Sequence, residues 1–173
     1  MTAARQIQTP AALPVATATP AVPGLRAMVL ADVAAVMAVE VRAYSHPWSQ
    51  GNFVDSLIAG TIAEVMTAPE GSVCAYFVAM VGVEEMHLLN ITVAPDYQSA
   101  GLGQRLLQAV QARAQQRGLR TLWLEVRQSN IRARSLYRRL GFAEVGLRKG
   151  YYPALARRED AVVMRLPLVD AAA

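Results

Sequence analysis

The chain has 173 residues, 54% apolar and 17% charged, which is enough for one domain with its own core and too apolar for a disordered or fibrous protein. A single cysteine, Cys74, rules out an internal disulfide or a multi-cysteine zinc site, and two histidines, His46 and His87, rule out the usual histidine-rich metal cages. The net charge of +4 hides an asymmetry: residues 1–104 hold three Arg against eight acids, whereas 105–158 hold twelve Arg and Lys149 against Glu125 and Glu144.

A basic half favours an anionic ligand, although charge alone identifies no partner. No apolar run reaches the roughly 18 residues that span a bilayer, and the start lacks a signal peptide's basic and apolar segments. The expectation is a soluble, cytoplasmic domain without a metal. Residues 1–24, with Pro10, Pro14, Pro20 and Pro23 among Ala and Thr, read as a disordered or polyproline-like extension, and 25–170 as the folded domain.

Leu25–Leu30 reads as a strand. Asp32 is positioned to cap a helix carrying Val33, Val36, Met37 and Glu40 at helical spacing. Pro47 breaks that helix, and Ser49 can cap a second one reaching about Ala59. Ile62–Met66 predicts a strand, Pro69–Ser72 a turn, and Val73–Val83 a buried strand containing Cys74. Glu84 and Glu85 mark a hairpin, and Met86–Val93 returns. A loop from Pro95 to Gly103 opens into a helix with Leu106, Leu107, Val110 and Ala114 on one face, ended near Gly118. Thr121–Val126 predicts a strand, Asn130–Leu140 a helix stopped by Gly141, and Ala143–Leu147 and Ala161–Leu166 two last strands. About seven strands and four helices make a mixed α/β domain.

The loop is the first feature that speaks of chemistry. Gly101 and Gly103 carry no Cβ, so a ligand can approach the backbone closely. The amides of Ser99, Ala100, Gly101, Leu102, Gly103 and Gln104 begin a helix and lack partners within it, which suits an anion such as a diphosphate. The dinucleotide fingerprint is not met, because Leu106 stands where its third glycine belongs, and no Lys-Ser/Thr follows as in a P-loop. What stands here is Gln98-x-x-Gly101-x-Gly103 after a strand ending at Val93. It resembles the pyrophosphate loop of the GNAT superfamily of acyl-CoA N-acyltransferases. Further segments sharpen the resemblance: Pro47-Trp48-Ser49, Asn90-Ile91, Trp123-Leu124-Glu125-Val126-Arg127, Asn130, Tyr137, Gly141-Phe142, Arg148, Tyr151-Tyr152-Pro153 and Arg158-Glu159-Asp160-Ala161. Over about residues 26–168 the chain is similar to the RimI branch, which acetylates the N-terminal alanine of small-subunit ribosomal protein eighteen. His87 and Leu89 depart from that branch's pattern.

The resemblance implies the GNAT fold, a mixed and mostly antiparallel seven-stranded sheet flanked by about four helices. It implies acetyl-CoA as co-substrate and a ribosomal-protein N-terminal peptide as acceptor, with no membrane or nucleic acid required. Other acceptors, such as other protein N-termini, lysines or a small amine, and a non-catalytic acyl-CoA-binding role stay open. No nucleophile triad is visible, so direct transfer in a ternary complex is favoured. Strand alternation places Trp123 and Glu125 opposite Leu122, Leu124 and Val126, and a carboxylate there must face water, a partner or a site. In the family the matching Glu accepts the proton. Tyr137 stands seven residues beyond Asn130, close to two helical turns, so the two share a face. The resemblance makes Tyr137 the acid that protonates sulfur and Asn130 a co-substrate contact; spacing alone would allow a core aromatic and a helix cap. It also implies that the fourth and fifth strands splay, freeing main chain at Ile91, Thr92 and Val93 for the co-substrate, with an amide near Val93 as oxyanion donor. An α-amine, with an ordinary pKa of about 7.7–8.0 against about 10.4 for lysine, suits a weak base better. Tyr44, Trp48, Tyr151 and Tyr152 are aromatic candidates for a peptide groove, and Glu40 faces either the peptide or solvent.

Overall fold

The computed structural model describes residues 24–155 and 157–168. Residues 1–23 of the expected extension lie outside them, as do 169 and 170 of the expected domain. Gly24, assigned to the extension from sequence, opens the first strand.

The strands are β1 (Gly24–Ala27), β2 (Ile62–Thr67), β3 (Val73–Val81), β4 (Glu85–Val93), β5 (Thr121–Arg127), β6 (Ala143–Tyr152) and β7 (Glu159–Pro167). The helices are α1 (Val33–Ala43), α2 (Gln50–Ile58), α3 (Leu102–Gln115) and α4 (Ile131–Arg139), with single 3-10 turns at Leu30–Asp32 and Pro95–Tyr97. One sheet runs β1-β2-β3-β4-β5-β7-β6. Every neighbouring pair is antiparallel except β4 and β5, the parallel pair.

Local chemistry explains most boundaries. The Ser49 hydroxyl accepts the Asn52 N–H at 3.2 Å and caps α2. Asn130 caps α4 by accepting the Ala133 N–H at 3.1 Å. Gly118, at φ +65°, turns the chain after α3 in the left-handed region. Two expectations fail at the start. The first strand ends at Ala27, and Leu30 belongs to a 3-10 turn. Asp32 does not cap α1 with its side chain; it accepts the Val29 N–H at 2.9 Å and pairs with both Arg26 nitrogens at 2.7 Å. A close bidentate guanidinium outcompetes the helix amides for those oxygens.

The sheet separates two apolar layers. Ala75, Phe77 and Ala79 of β3 join Leu106, Leu107 and Val110 of α3 and Leu122, Leu124 and Val126 of β5 on one face. Tyr76 and Val78 join Val36 and Val39 of α1 and Phe53 of α2 on the other. Burying each large aliphatic side chain contributes about 1.5–3 kcal/mol, so this layering fixes which way every strand residue points. Cys74 is buried in β3, its thiol donating to the Met66 carbonyl, as a small core residue does.

β4 changes face midway. Val78 pairs with Asn90 and Ala79 with Leu88, leaving Leu89 as an extra bulged residue. Met86 and Leu88 lie in the α3 layer before the bulge, and Ile91 and Val93 pack against that layer after it. Asn90 and Thr92 therefore face α1. Pairing with β5 ends at the same place: only Glu85–Leu88 meets Thr121–Leu124. Beyond it the two strands diverge.

Candidate active site

The divergence leaves a gap in the sheet, and a cavity opens on each side of it. The first, of about 430 Å³, lies toward α3 and α4 and is lined by Ile91, Thr92, Val93, Gln98, Ser99, Gly101, Leu102, Gly103, Gln104, Asn130 and Tyr137, among others. The second, of about 690 Å³, lies toward α1 and β6 and is lined by Glu40, Tyr44, Trp48, Leu89, Glu125, Tyr151 and Tyr152, among others. Tyr44, Ile91, Asn130 and Tyr137 line both cavities, which therefore meet through the gap.

On the first side the loop is built for close approach. Gly101 precedes α3 at φ +77°, and a Cβ there would meet no protein atom within 4 Å. Ser99 holds φ +68°, an uncommon conformation for a residue with a side chain. Its hydroxyl accepts Arg132 Nη2 at 3.0 Å, and Gln98 Oε1 accepts Arg132 Nη1 at 3.3 Å, so a cation from α4 stands beside the loop. Sequence reading missed Arg132, because the approach of α4 to this loop is a tertiary fact. Of the six loop residues expected at the ligand, only Ala100 is off the cavity wall.

The β4 main chain follows from register. Ala94 N–H donates to the Cys74 carbonyl at 2.8 Å, which makes Thr92–Tyr76 the next hydrogen-bonded pair. Thr92 thus spends its main chain on β3, whereas Ile91 and Val93 turn theirs into the gap. Two carbonyls there are met by side chains: the Tyr44 hydroxyl donates to Ile91 at 3.0 Å, and Gln98 Nε2 donates to Val93 at 3.2 Å. The Ile91 and Val93 N–H groups face the gap with no β5 partner opposite.

Asn130 is the α4 cap that spacing alone allows, and it also lines both cavities. Tyr137 is 7% exposed, with its ring tilted on Phe142 at 5.8 Å. Burial pushes its phenol above the ordinary range, so the hydroxyl keeps its proton.

Glu125 lies on the far wall, its carboxylate meeting the Arg148 guanidinium. Tyr152 donates its hydroxyl to the Glu125 main-chain carbonyl at 3.0 Å. A hydrogen bond to Glu125 raises the Tyr151 pKa, and burial raises that of Tyr152. Glu40 is not a solvated helix residue: it is 1% exposed and accepts from Trp48 N–H at 2.8 Å, from the Tyr76 hydroxyl and from Asn90 Nδ2 at 3.4 Å. Asn90 Oδ1 accepts from the Thr92 hydroxyl at 2.9 Å, which pairs with Tyr44 at 3.1 Å. The bulge makes this chain of bonds, because without it Asn90 and Thr92 would point into the opposite layer. Trp48 packs with its ring tilted on Phe53 at 5.2 Å and also lines the second cavity.

Residues 34–142 match the acetyltransferase (GNAT) family model. The chain belongs to the GNAT acetyltransferase family. Within the family it is 41% identical over 137 residues to the ribosomal protein bS18-alanine N-acetyltransferase of Escherichia coli K12, covering 79% of this chain and 92% of that one. It is 36% identical to the enzyme of that name from Haemophilus influenzae, covering 73% and 86%. The crystal structure of the Escherichia coli ribosomal-protein-S18-alanine N-acetyltransferase superposes with a TM-score of 0.81 at 38% identity, over 86% of this chain and 96% of that one. A phosphinothricin acetyltransferase from Sinorhizobium meliloti, solved with AcCoA, shares the fold at TM-score 0.73 and 22% identity, over 88% and 91%. The GNAT fold implies an acyl-CoA co-substrate, and the first cavity fits one: a glycine loop open to close approach, helix amides and Arg132 for phosphates, and unpaired β4 amides beyond them. Among the described residues no cluster of three His, Cys, Asp or Glu could hold a metal, and no helix is long and apolar enough to cross a membrane.

Proposed function

We propose that this acetyltransferase moves the acetyl group of acetyl-CoA onto the α-amine of the N-terminal alanine of ribosomal protein bS18, by direct attack in a ternary complex. The observation that carries the reading is the meeting of the two cavities at Tyr44, Ile91, Asn130 and Tyr137, with Glu125 on the acceptor side. The thioester supplies the acetyl carbon that a neutral amine attacks. Ser99 to Gln104 and Arg132 hold the diphosphate end on the α3 side. The N–H groups of Ile91 and Val93 point to where the acetyl oxygen gains charge, and donors fixed in advance stabilise that charge without reorganising. Glu125 takes the proton lost by nitrogen as the C–N bond forms, directly or through water. Tyr137 gives its proton to sulfur as the C–S bond breaks, and solvent restores it. Tyr44, Trp48, Tyr151 and Tyr152 form the walls of the groove that receives the acceptor's first residues. A ribosomal acceptor places the reaction in the cytoplasm.

Mass spectrometry of a peptide bearing an N-terminal alanine and an internal lysine tests the acceptor. Acetylation at the α-amine is expected, and ε-acetylation without it rejects the reading. Substituting Glu125→Gln should lower turnover by about 100-fold or more while acetyl-CoA still binds.

A further inference from the structure

Glu125 does not meet the groove as a bare carboxylate. The Arg148 guanidinium donates to it and lies 4.3 Å from the centroid of the Tyr151 ring. The backbone is shaped for this. β6 leaves register with β7 between Arg148 and Tyr152, and Gly150 takes φ +56° within that stretch. The Gly150 N–H bonds Asp160 Oδ1 at 2.7 Å, and Arg158 holds the carbonyls of Gly150 and Tyr151 at 2.5 Å each. The offset brings Arg148 and Tyr151 together beside Glu125. The Arg148 side chain is 54% exposed and that of Glu125 26%, so the pair lies at the solvent-accessible surface rather than in the core, with Glu125 on the wall of the groove and Arg148 reaching it from β6.

The other charged groups around the groove have partners of their own. Glu40 is bonded to Trp48, Tyr76 and Asn90. Arg127 lies over the Tyr152 ring and pairs with Glu159 at 3.1 Å. His46 stands on the rim with Nδ1 against the Ser45 hydroxyl. The phenols of Tyr44, Tyr137, Tyr151 and Tyr152 all titrate above their ordinary range and are uncharged at neutral pH. An amine arriving at Glu125 therefore meets one carboxylate and one guanidinium.

We infer that Arg148 is a specificity-determining counter-charge: it cancels the charge of Glu125 where the amine docks, so the groove admits the neutral amine in preference to the ammonium. The inference rests on the reading of this groove as the acceptor site. A lone carboxylate would favour the ammonium, which has no lone pair for attack; a guanidinium beside it removes that advantage. The bias reinforces solution chemistry. At pH 7 an ordinary α-amine, titrating at about 7.7–8.0, is neutral far more often than a lysine at about 10.4. A groove selective for neutral amines is thereby selective for chain ends over lysines.

The test reads binding, not turnover. Two alanine-initiated peptides are compared, one with the α-nitrogen trimethylated and so permanently cationic, the other with an isosteric, uncharged tert-butyl group in its place. Neither can be acetylated. The native enzyme should bind the neutral peptide at least as tightly as the cationic one. In Arg148→Gln the cationic peptide should gain about threefold to fivefold relative to the neutral one, the size expected when a half-exposed ion pair loses one partner. Arg148→Lys should keep the native preference. A merely structural role would weaken both peptides alike. Arg148→Met serves the same purpose if the Gln variant fails to fold, with acetyl-CoA affinity as the check on the rest of the site. An unchanged ratio in the charge-free variant, or a native enzyme that already prefers the cation, overturns the role of Arg148 alone. If neither peptide competes with an alanine-initiated acceptor, the acceptor groove itself is misplaced and both readings fall.

Discussion

Replacing Tyr137 by Phe separates acid chemistry from packing more cleanly than any other single change. The ring stays in place, 7% exposed and tilted on Phe142 at 5.8 Å, so the apolar burial survives. No described residue hydrogen-bonds the hydroxyl, so its loss leaves no orphaned partner and should alter stability by less than about 1 kcal/mol. The proton it would give to sulfur is lost completely. A positioned general acid contributes about 100-fold or more, which corresponds to about 2.7 kcal/mol of barrier. Single-turnover acetylation of an alanine-initiated peptide at saturating acetyl-CoA measures that barrier, and calorimetry gives the acetyl-CoA affinity separately. The expected result is a rate drop of about two orders of magnitude with the affinity within about threefold of native. A native rate would remove Tyr137 from the chemistry, and an affinity loss as large as the rate loss would make it a binding residue instead.

Two other changes probe the frame around the site. Gly101→Ala forces a side chain into the left-handed region at φ +77°, costing about 1–2 kcal/mol, and puts a methyl group where the phosphate loop is open. Thermal unfolding should shift down by several degrees and acetyl-CoA affinity should fall about tenfold; native affinity would show that the ligand does not approach this backbone. Asp32 has its pKa lowered, first by the Arg26 hydrogen bond, so its contribution is present above the ordinary value of about 3.9 and is lost as pH falls through the folded value. Urea unfolding between pH 5 and 3 should lose stability less steeply in Asp32→Asn than in the native protein, and equal slopes would refute the assignment.

Much of this molecule could be read from local pattern, and the exceptions share a cause. Ser49 and Asn130 declare their caps because a cap needs only residues three apart. Leu106, Leu107, Val110 and Ala114 declare the α3 face because helical period is local. Glu125 opposite Leu124 and Val126 follows from strand alternation. The face of Asn90 and Thr92 does not, because one bulged residue, Leu89, reverses the alternation, and nothing in Met86–Val93 marks where the extra residue goes. The sequence leaves the role of Glu40 open for the same reason: its partners, Trp48, Tyr76 and Asn90, are brought together only by the register of β3 against β4 and the packing of α1. Arg148 and Arg132 were visible as charges, but each meets its partner across the fold. The side-chain bonding of Asp32 shows a local rule overridden by a stronger ion pair.

The gap between β4 and β5 has a consequence for traffic. In the proposed reaction donor and acceptor reach the same point from opposite sides of a wall, so neither must leave for the other to enter or depart. Only what threads the opening takes part, and the bulk of each reactant stays outside on its own side. Such a slot is indifferent to the size of the cargo behind a chain terminus, and a polypeptide presented end-on is the shape it passes most easily.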